Sequence, residues 1–237
     1  MGMIVSAPGE GEPGYDEDRE DARAKAKLGM ARADEWFRND RWDAAEEAAF
    51  FARLGRRRKA ALTSQYGRIK AALLEATGDP RKVRGAIEVL RRVLLKGRVD
   101  SDLALCTWQI ARCHLILGDL DAALKELQLT LRREEQFPRW LTGAWSDFAQ
   151  LVVSRKLREH YGEVLSLLRA REKVLLFPAD RFIAHASRSL IAWENGSKAV
   201  AREEADRALA EVERPHEHKG LARGYDDLVA RLRKIAR

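Results

Sequence analysis

From about residue 21 onward, apolar residues recur at every third or fourth position along the chain, and charged residues fill many of the positions between them. This spacing is typical of amphipathic α-helices. Ala, Leu, Arg, Glu and Lys dominate the segment, and all five favour helix formation. Alternating β-branched runs, the usual sign of a strand, are limited to short pieces such as 151–153. The pattern therefore predicts an all-α protein.

Glycine, asparagine and proline interrupt this pattern and divide it into helices of about 13–20 residues. The turns between the helices are short, and short turns place consecutive helices side by side in opposite directions. The chain is therefore predicted to fold as a series of antiparallel helix hairpins. The predicted helices are 21–38, 42–54, 57–77, 81–96, 101–117, 120–135, 139–158, 161–176, 179–195, 197–213 and 217–236.

One turn in the middle of the chain shows the features of such a hairpin most clearly. Gly118 ends one helix, since glycine adopts the left-handed conformation of a helix cap without strain. Asp119 or Asp121 can cap the helix that follows. Leu120 would pack in the corner of the hairpin, and the small Ala123 would let the two helices approach closely. These residues resemble the turn and second helix of a tetratricopeptide repeat (TPR).

The small residue of this motif recurs at regular intervals. The equivalent positions are Ala45, Ala86, Ala123, Val164 and Ala201. Their separations of 41, 37, 41 and 37 residues are longer than the family's usual period of about 34. The resemblance implies a right-handed superhelical solenoid of about five antiparallel helix hairpins, followed by a C-terminal capping helix. A globular all-α domain without repeats is the alternative.

Charge is distributed unevenly along the chain. The formal net charge is +7, but residues 1–21 contain seven acidic residues and one basic residue, so the remainder carries +13. Residues 1–20 are rich in acidic and turn-forming residues and are predicted to be a disordered acidic tail. The TPR-like helical repeat domain is predicted to span 21–237. Its basic surface suits a nucleic acid or an acidic protein.

Motifs for catalysis or metal binding are not found in the sequence. Neither a phosphate-binding loop nor a dinucleotide-binding glycine motif is present. His216 and His218 are two positions apart, a spacing that does not put both on one helix face. Cys106 and Cys113 lie too far apart in one helix for a disulfide and are expected in the core. We therefore expect a protein that is not an enzyme and that needs no cofactor or metal.

The resemblance implies a function in binding. In TPR-like solenoids the first helix of each hairpin lines a concave surface, where a partner's peptide or helix lies. The chain is therefore expected to be a protein–protein interaction scaffold or adaptor. The partner-binding residues that the resemblance implies are Asp34 and Phe37 in the first hairpin and Trp108, Arg112 and Leu115 in the central one.

Clusters of basic residues indicate an alternative function. A basic stripe can follow a phosphate backbone, so the alternative is a nucleic-acid-binding or regulatory helical-repeat protein. Basic residues near helix ends also have a local role, because they interact favourably with the helix dipole. The residues of the proposed basic patch are Arg56, Arg57, Arg58, Lys59, Arg91 and Arg92.

The expected cellular location of the protein follows from two further features of the sequence. No stretch approaches the roughly 18 consecutive apolar residues of a membrane span, and residues 1–15 lack the basic start and apolar run of a secretory signal. We therefore expect a cytoplasmic protein with no membrane partner. The polar character of the last predicted helix indicates a monomer or a weak homodimer.

Overall fold

The computed structural model describes residues 36–56, 60–96, 100–213 and 225–237, and all regular elements in these ranges are helical. The predicted all-α class is therefore confirmed. Two short 3-10 turns, at 158–160 and 172–174, flank the seventh α-helix. In chain order, the α-helices of the described ranges are α1 (Ala44–Gly55), α2 (Ala60–Ala76), α3 (Pro80–Lys96), α4 (Asp100–Ile116), α5 (Leu120–Gln136), α6 (Ala144–Ser154), α7 (Tyr161–Arg171), α8 (Pro178–Glu194), α9 (Lys198–Glu213) and α10 (Asp226–Ile235).

The chain divides into two compact units, and the boundary falls inside α3, between Val89 and Leu90. In the first unit, α1 packs against α2. In the second unit, each helix from α4 to α9 packs against its successor, and α8 also contacts both α6 and α10. This second unit therefore consists of sequential helix neighbours, as the short turns predicted.

Three of the predicted turns are built as expected. Gly78, Gly118 and Gly196 have positive φ angles of 66°, 74° and 80°, so each glycine adopts the left-handed conformation that ends a helix. Asp119 caps α5 by accepting a hydrogen bond of 3.1 Å from the Ala122 N–H. Of the two capping residues that the sequence allowed, Asp119 therefore has this role.

The predicted helix 139–158 is wrong at both ends, since α6 covers only Ala144–Ser154. At its start, the Glu134 carboxylate accepts hydrogen bonds from the N–H and the hydroxyl of Thr142, at 2.7 and 2.5 Å, and holds that residue in a loop. At its end, Lys156 has a φ of 55°, and the Leu157 N–H bonds back to the Val152 carbonyl at 2.9 Å. This arrangement closes the helix without a glycine.

Other helix ends also differ from the prediction. Residues 36–38 form turns and bends, α7 ends at Arg171, and Tyr225 lies just before α10 rather than within a helix. The predicted acidic tail, most of the first predicted helix and the group around His216 and His218 lie outside the described residues. Each of these differences falls at a helix end, where local sequence preference is weakest.

The repeated small residues are buried at four of their five positions. Ala86, Ala123, Val164 and Ala201 each have 0% of their surface exposed. Ala45 is exposed, which contradicts its expected role. The buried residues of α1 are Phe50 and Leu54, and Ala45 precedes Phe50 by five positions, about 140° around a helix with about 100° per residue. Ala45 therefore faces away from the buried stripe.

The first unit contains a glycine that is required by close packing. A Cβ atom added to Gly85 in α3 would lie 2.0 Å from Nε1 and 2.4 Å from Cδ1 of Trp42. The indole of Trp42 therefore occupies the space where any other residue would carry its side chain. This contact anchors the segment before α1 to α3 within the unit.

We expect Gly85→Ala to lower the free energy of unfolding by about 1–3 kcal/mol, because the indole must move to admit the methyl group. The gain from the better helix former, about 1 kcal/mol, only partly offsets this loss. The matched control is Gly162→Ala in α7, where an added Cβ meets nothing within 4 Å. Denaturation followed by tryptophan fluorescence should show the loss for Gly85→Ala alone, and equal behaviour of the two variants would contradict the packing argument.

Candidate functional site

The candidate site in the second unit begins at Trp108 on α4. Trp108 is half-buried, and its indole packs directly on Gly143, where an added Cβ would lie 2.7 Å from Cζ2. The indole Nε1–H donates a hydrogen bond of 2.7 Å to Oδ2 of Asp147 in the first turn of α6. One side chain thus ties α4 to the start of α6.

The other two residues predicted for this surface lie on the same face of α4. Arg112 follows Trp108 by one turn, is exposed, and places its guanidinium 5.3 Å from the centroid of the Trp108 ring. Leu115 is half-buried and packs against the core of the unit. Trp108 and Arg112 therefore present a joint aromatic and cationic surface, whereas Leu115 contributes mainly to packing.

Asp147 belongs to this cluster but was not predicted from the sequence. Burial raises the pKa of its carboxyl above the ordinary value, while the hydrogen bond from Trp108 and the charge of Arg112 act in the opposite direction. In the sequence Asp147 resembles any acidic residue in the first turn of a helix. Its partner Trp108 lies 39 residues away, so only the packing of the two helices brings the pair together.

A cleft of about 250 Å³ lies on the same side of α6. It is formed by α6, α8 and α10, and Gln150 and Ser154 of α6 follow Asp147 by three and seven positions, which puts all three on one helix face. Both apolar and polar side chains line its walls. The residues that make it suitable for binding are the apolar Val153, Ile183 and Leu190 and the polar or charged Tyr225, Ser187 and Arg231.

Of the two candidate residues in the first predicted hairpin, the structure describes only Phe37. Phe37 is only 8% exposed, and its ring stacks on Tyr66 with centroids 4.3 Å apart. Its expected surface position is therefore wrong, because the ring belongs to the aromatic core of the first unit. Its role in partner binding stays a prediction. Asp34 lies outside the described residues.

The residues of the predicted basic patch are distributed over both units. Arg56 is exposed at the C-terminal cap of α1 in the first unit. Arg91 and Arg92 are exposed on the part of α3 that belongs to the second unit. Arg57, Arg58 and Lys59 lie outside the described residues. The exposure of three of these side chains is established, and their use by a ligand stays a prediction.

Replacing Asp147 with Asn is expected to raise the free energy of unfolding slightly at pH 7. The amide oxygen can still accept the Trp108 hydrogen bond, and the cost of burying a charge is removed. Because the folded pKa is raised, the wild-type protein loses stability as the pH rises from the ordinary carboxyl value of about 4 through the folded pKa. The variant should lack this decrease.

Urea denaturation across this pH range measures the effect, with Asp121→Asn as the control. Asp121 is exposed and occupies the equivalent first turn of α5. A decrease with pH that persists unchanged in Asp147→Asn would show that another group is responsible.

Three further side chains with possible chemistry are buried in the second unit. His114 is buried beside Asp119, with Nδ1 and Oδ2 3.5 Å apart, and Cys106 and Cys113 are also buried, as the sequence predicted. Within the described ranges, no group of three His, Cys, Asp or Glu side chains could hold a metal ion, and no helix there has the length and apolar character of a membrane span.

No family model, curated protein or solved structure matches this chain.

Proposed function

We propose that this protein is a non-catalytic, TPR-like interaction module that binds a peptide or helix of a partner protein. In this proposal the second unit is a right-handed solenoid, with α4, α6 and α8 as the first helices of successive hairpins and α5, α7 and α9 as the second. Its support is the sequential packing of these helices and the complete burial of Ala123, Val164 and Ala201 at equivalent positions. Helix α10 is the capping helix, consistent with its contacts to α8 and α9.

The main observation behind the proposal concerns one face of α6. This face carries Asp147 and also borders the cleft between α6, α8 and α10. It places the aromatic and cationic pair of Trp108 and Arg112 and a cleft with apolar walls on one side of one helix. An extended segment or helix could insert apolar side chains into the cleft and contact Arg112 and Arg231 with acidic or carbonyl groups. Aromatic and arginine side chains are frequent anchors in protein interfaces.

The test begins with peptides selected from a displayed random library by the full-length protein. Their affinities are then measured by fluorescence anisotropy for the wild type, for the double variant Trp108→Ala/Arg112→Ala and for Arg231→Glu. We expect each variant to bind at least about tenfold more weakly, equivalent to about 1.4 kcal/mol. The control is Arg202→Glu, since Arg202 is exposed on α9 and lines neither this cleft nor its neighbour.

Two results would contradict this assignment. If selection yields no peptide that binds in solution, the proposed function itself fails. If peptides bind but the Trp108, Arg112 and Arg231 variants retain full affinity, the protein binds peptides at another surface. Circular dichroism of each variant separates loss of the surface from loss of the fold, because Trp108 also packs on Gly143.

Nucleic-acid binding is the second candidate, favoured by the excess of 13 positive charges in residues 22–237. It predicts an affinity that falls steeply with salt, because binding releases counterions from the phosphates. Charge reversal at the exposed Arg91 and Arg92 should weaken it and reduce its salt dependence. Binding to a mixed-sequence oligonucleotide that is insensitive to both changes would exclude this patch as the contact.

We infer that the protein is a monomer or a weak homodimer, and that the loops before α6 and α8 would contribute to a contact between two copies. Exposed apolar side chains are concentrated there, with Leu176 72% and Phe177 68% exposed in one loop and Trp140 47% exposed in the other. Sedimentation velocity over a range of concentrations should show at most weak association. Leu176→Ser/Phe177→Ser should abolish it, whereas association that is unchanged would place the contact elsewhere.

A further inference from the structure

A second cleft, of about 470 Å³, lies between α7, α8 and α9. It shares no lining residue with the cleft described above. Its apolar part is formed by Leu165, Ile191, Ala192 and Val200, of which Leu165 is 36% and Val200 50% exposed. Three arginines, Arg169, Arg188 and Arg207, and two glutamates, Glu172 and Glu204, also line it. The cleft therefore combines exposed apolar surface with several cationic groups, and its volume suits a small molecule.

Arg188 is held in this cleft by long contacts. Its side chain is 18% exposed, and it makes a hydrogen bond of 3.3 Å to the Leu168 carbonyl and an ion pair of 3.8 Å with Glu172. Its charge also interacts with the Glu204 carboxylate. The Glu172 side chain is 66% exposed, so it can move away at little cost. Since a guanidinium carries five N–H donors, most of the donor capacity of Arg188 remains for another group.

The other two arginines differ from each other in how many acidic partners they already have. Arg207 donates to Glu203 at 2.5 Å and to Glu204 at 3.0 Å, and the other oxygen of Glu204 lies 2.7 Å from Nδ1 of His185. Arg169 is exposed and has no hydrogen-bond or ion-pair partner in the part of the chain that the structure describes. Arg169 and Arg188 are thus the two cations of the cleft that can bind an anion.

We propose that this cleft binds a small amphipathic anion, with one carboxylate or phosphate carried on a short apolar chain. Arg188 and Arg169 bind the anionic group, because guanidinium groups match the geometry of both oxyanions. The apolar chain covers Leu165 and Val200 and removes them from water. The Asn195 amide and the Ser197 hydroxyl line the same cleft and add polar contacts at its end. This site is separate from the peptide surface proposed above, and its test does not depend on that proposal.

Four probes test the proposal by titration calorimetry with the full-length protein: octanoate, octyl phosphate, inorganic phosphate and octyltrimethylammonium. We expect octanoate, octyl phosphate or both to bind at least about tenfold more tightly than the other two, a difference of about 1.4 kcal/mol. The tighter of the two anionic probes then identifies the site as one for carboxylates or for phosphates. Equal binding of the cationic probe would overturn the role of the arginines, and equal binding of inorganic phosphate would overturn the role of the apolar wall.

Variants locate the binding in this cleft. Arg169→Gln and Arg188→Gln should each weaken binding of the tighter probe at least about tenfold, and Val200→Asp should do the same by placing a charge on the apolar wall. Arg202→Gln is the matched control on α9, outside the cleft, and should bind like the wild type. Because Arg169 is exposed, its variant is expected to fold even if Arg188→Gln does not. Unchanged affinity of Arg169→Gln and Val200→Asp, or no binding of any probe, would overturn the proposal.

Discussion

Replacing Glu134 with Ala is expected to lower the free energy of unfolding of the second unit by about 4 kcal/mol, the largest effect predicted for this protein. Glu134 is only 2% exposed at the C-terminal end of α5. Its Oε1 accepts the N–H and hydroxyl of Thr142, and its Oε2 pairs with Arg171 of α7, whose side chain is 12% exposed. Removing one member of a buried ion pair leaves its partner uncompensated, which typically costs about 3–5 kcal/mol.

The same substitution should disturb the candidate peptide surface. Thr142 bonds in turn to the Ala144 N–H at 3.1 Å, and Gly143, against which Trp108 packs, lies between them. Without Glu134 the loop before α6 loses its main attachment, so the start of α6 is no longer positioned. Hydrogen exchange measured by mass spectrometry should therefore show faster exchange of the amides around Thr142.

The control for this prediction is Glu135→Ala. Glu135 is the next residue in the chain and is exposed, so its removal should change the stability little. Glu134→Gln should fall between the two, because an amide oxygen can still accept a bond from Thr142 but carries no charge for Arg171. Urea denaturation followed by circular dichroism measures all three. A loss of less than about 1 kcal/mol for Glu134→Ala would contradict the proposed buried network.

Replacing Lys70 with Met is expected to lower the free energy of unfolding of the first unit by about 3 kcal/mol. The Lys70 side chain has no exposed surface. Its Nζ donates to the Asn39 carbonyl at 3.1 Å, to Asn39 Oδ1 at 2.6 Å and to the Arg41 carbonyl at 2.9 Å, and it lies 3.5 Å from Glu46 Oε1. Methionine keeps the apolar stem but leaves these acceptors without their donor, at about 1–3 kcal/mol for each group that stays buried.

Lys70 also lies close to two aromatic side chains of the first unit. Its amine lies 5.4 Å from the centroid of Trp42 and 5.7 Å from that of Phe50, so one charge organises the segment before α1 and its aromatic neighbours. Lys82→Met is the matched control, because Lys82 pairs with Asp40 at 2.8 Å on the surface, where the Asp40 side chain is 58% exposed. Exposed ion pairs contribute little, so the control should lose far less stability.

The alkaline pH dependence gives an independent test of Lys70. Burial lowers its pKa below the ordinary value of 10.5, although Glu46 opposes this shift. Between the lowered pKa and 10.5 the unfolded chain binds more protons than the folded one, so the contribution of Lys70 to the free energy of unfolding increases with pH. The stability difference between wild type and Lys70→Met should therefore grow across this range. A constant difference would mean that the amine is not desolvated.

Much of the local structure could be predicted because its causes lie within a few residues. The turn at Gly118 and the cap at Asp119 depend on one glycine and one carboxylate next to the helix that they end or begin. Helix α5 was predicted at 120–135 and spans Leu120–Gln136 for the same reason. The shared face of Trp108, Arg112 and Leu115 also follows from helical spacing alone.

The predictions from the sequence were wrong where a contact with a distant residue overrides a local preference. Residues 139–143 have a sequence that permits helix, but Glu134 holds Thr142 in a loop. Phe37 has the spacing of a surface residue, but stacking on Tyr66 places it in the core. Ala45 has the right interval for the repeated small residue, but α1 turns Phe50 and Leu54 inward instead.

The sequence by itself determined the all-α class, the main helices and their glycine caps, and one face of α4, because helical periodicity and capping act over a single turn or two. Only the tertiary structure decided that Asp147 meets Trp108, that Lys70 and Glu134 are buried with their partners, and that Arg169 and Arg188 line one cleft. These contacts join residues that lie up to 39 positions apart in the chain. Their partners are selected by how the helices pack, and no pattern within one helix specifies that choice.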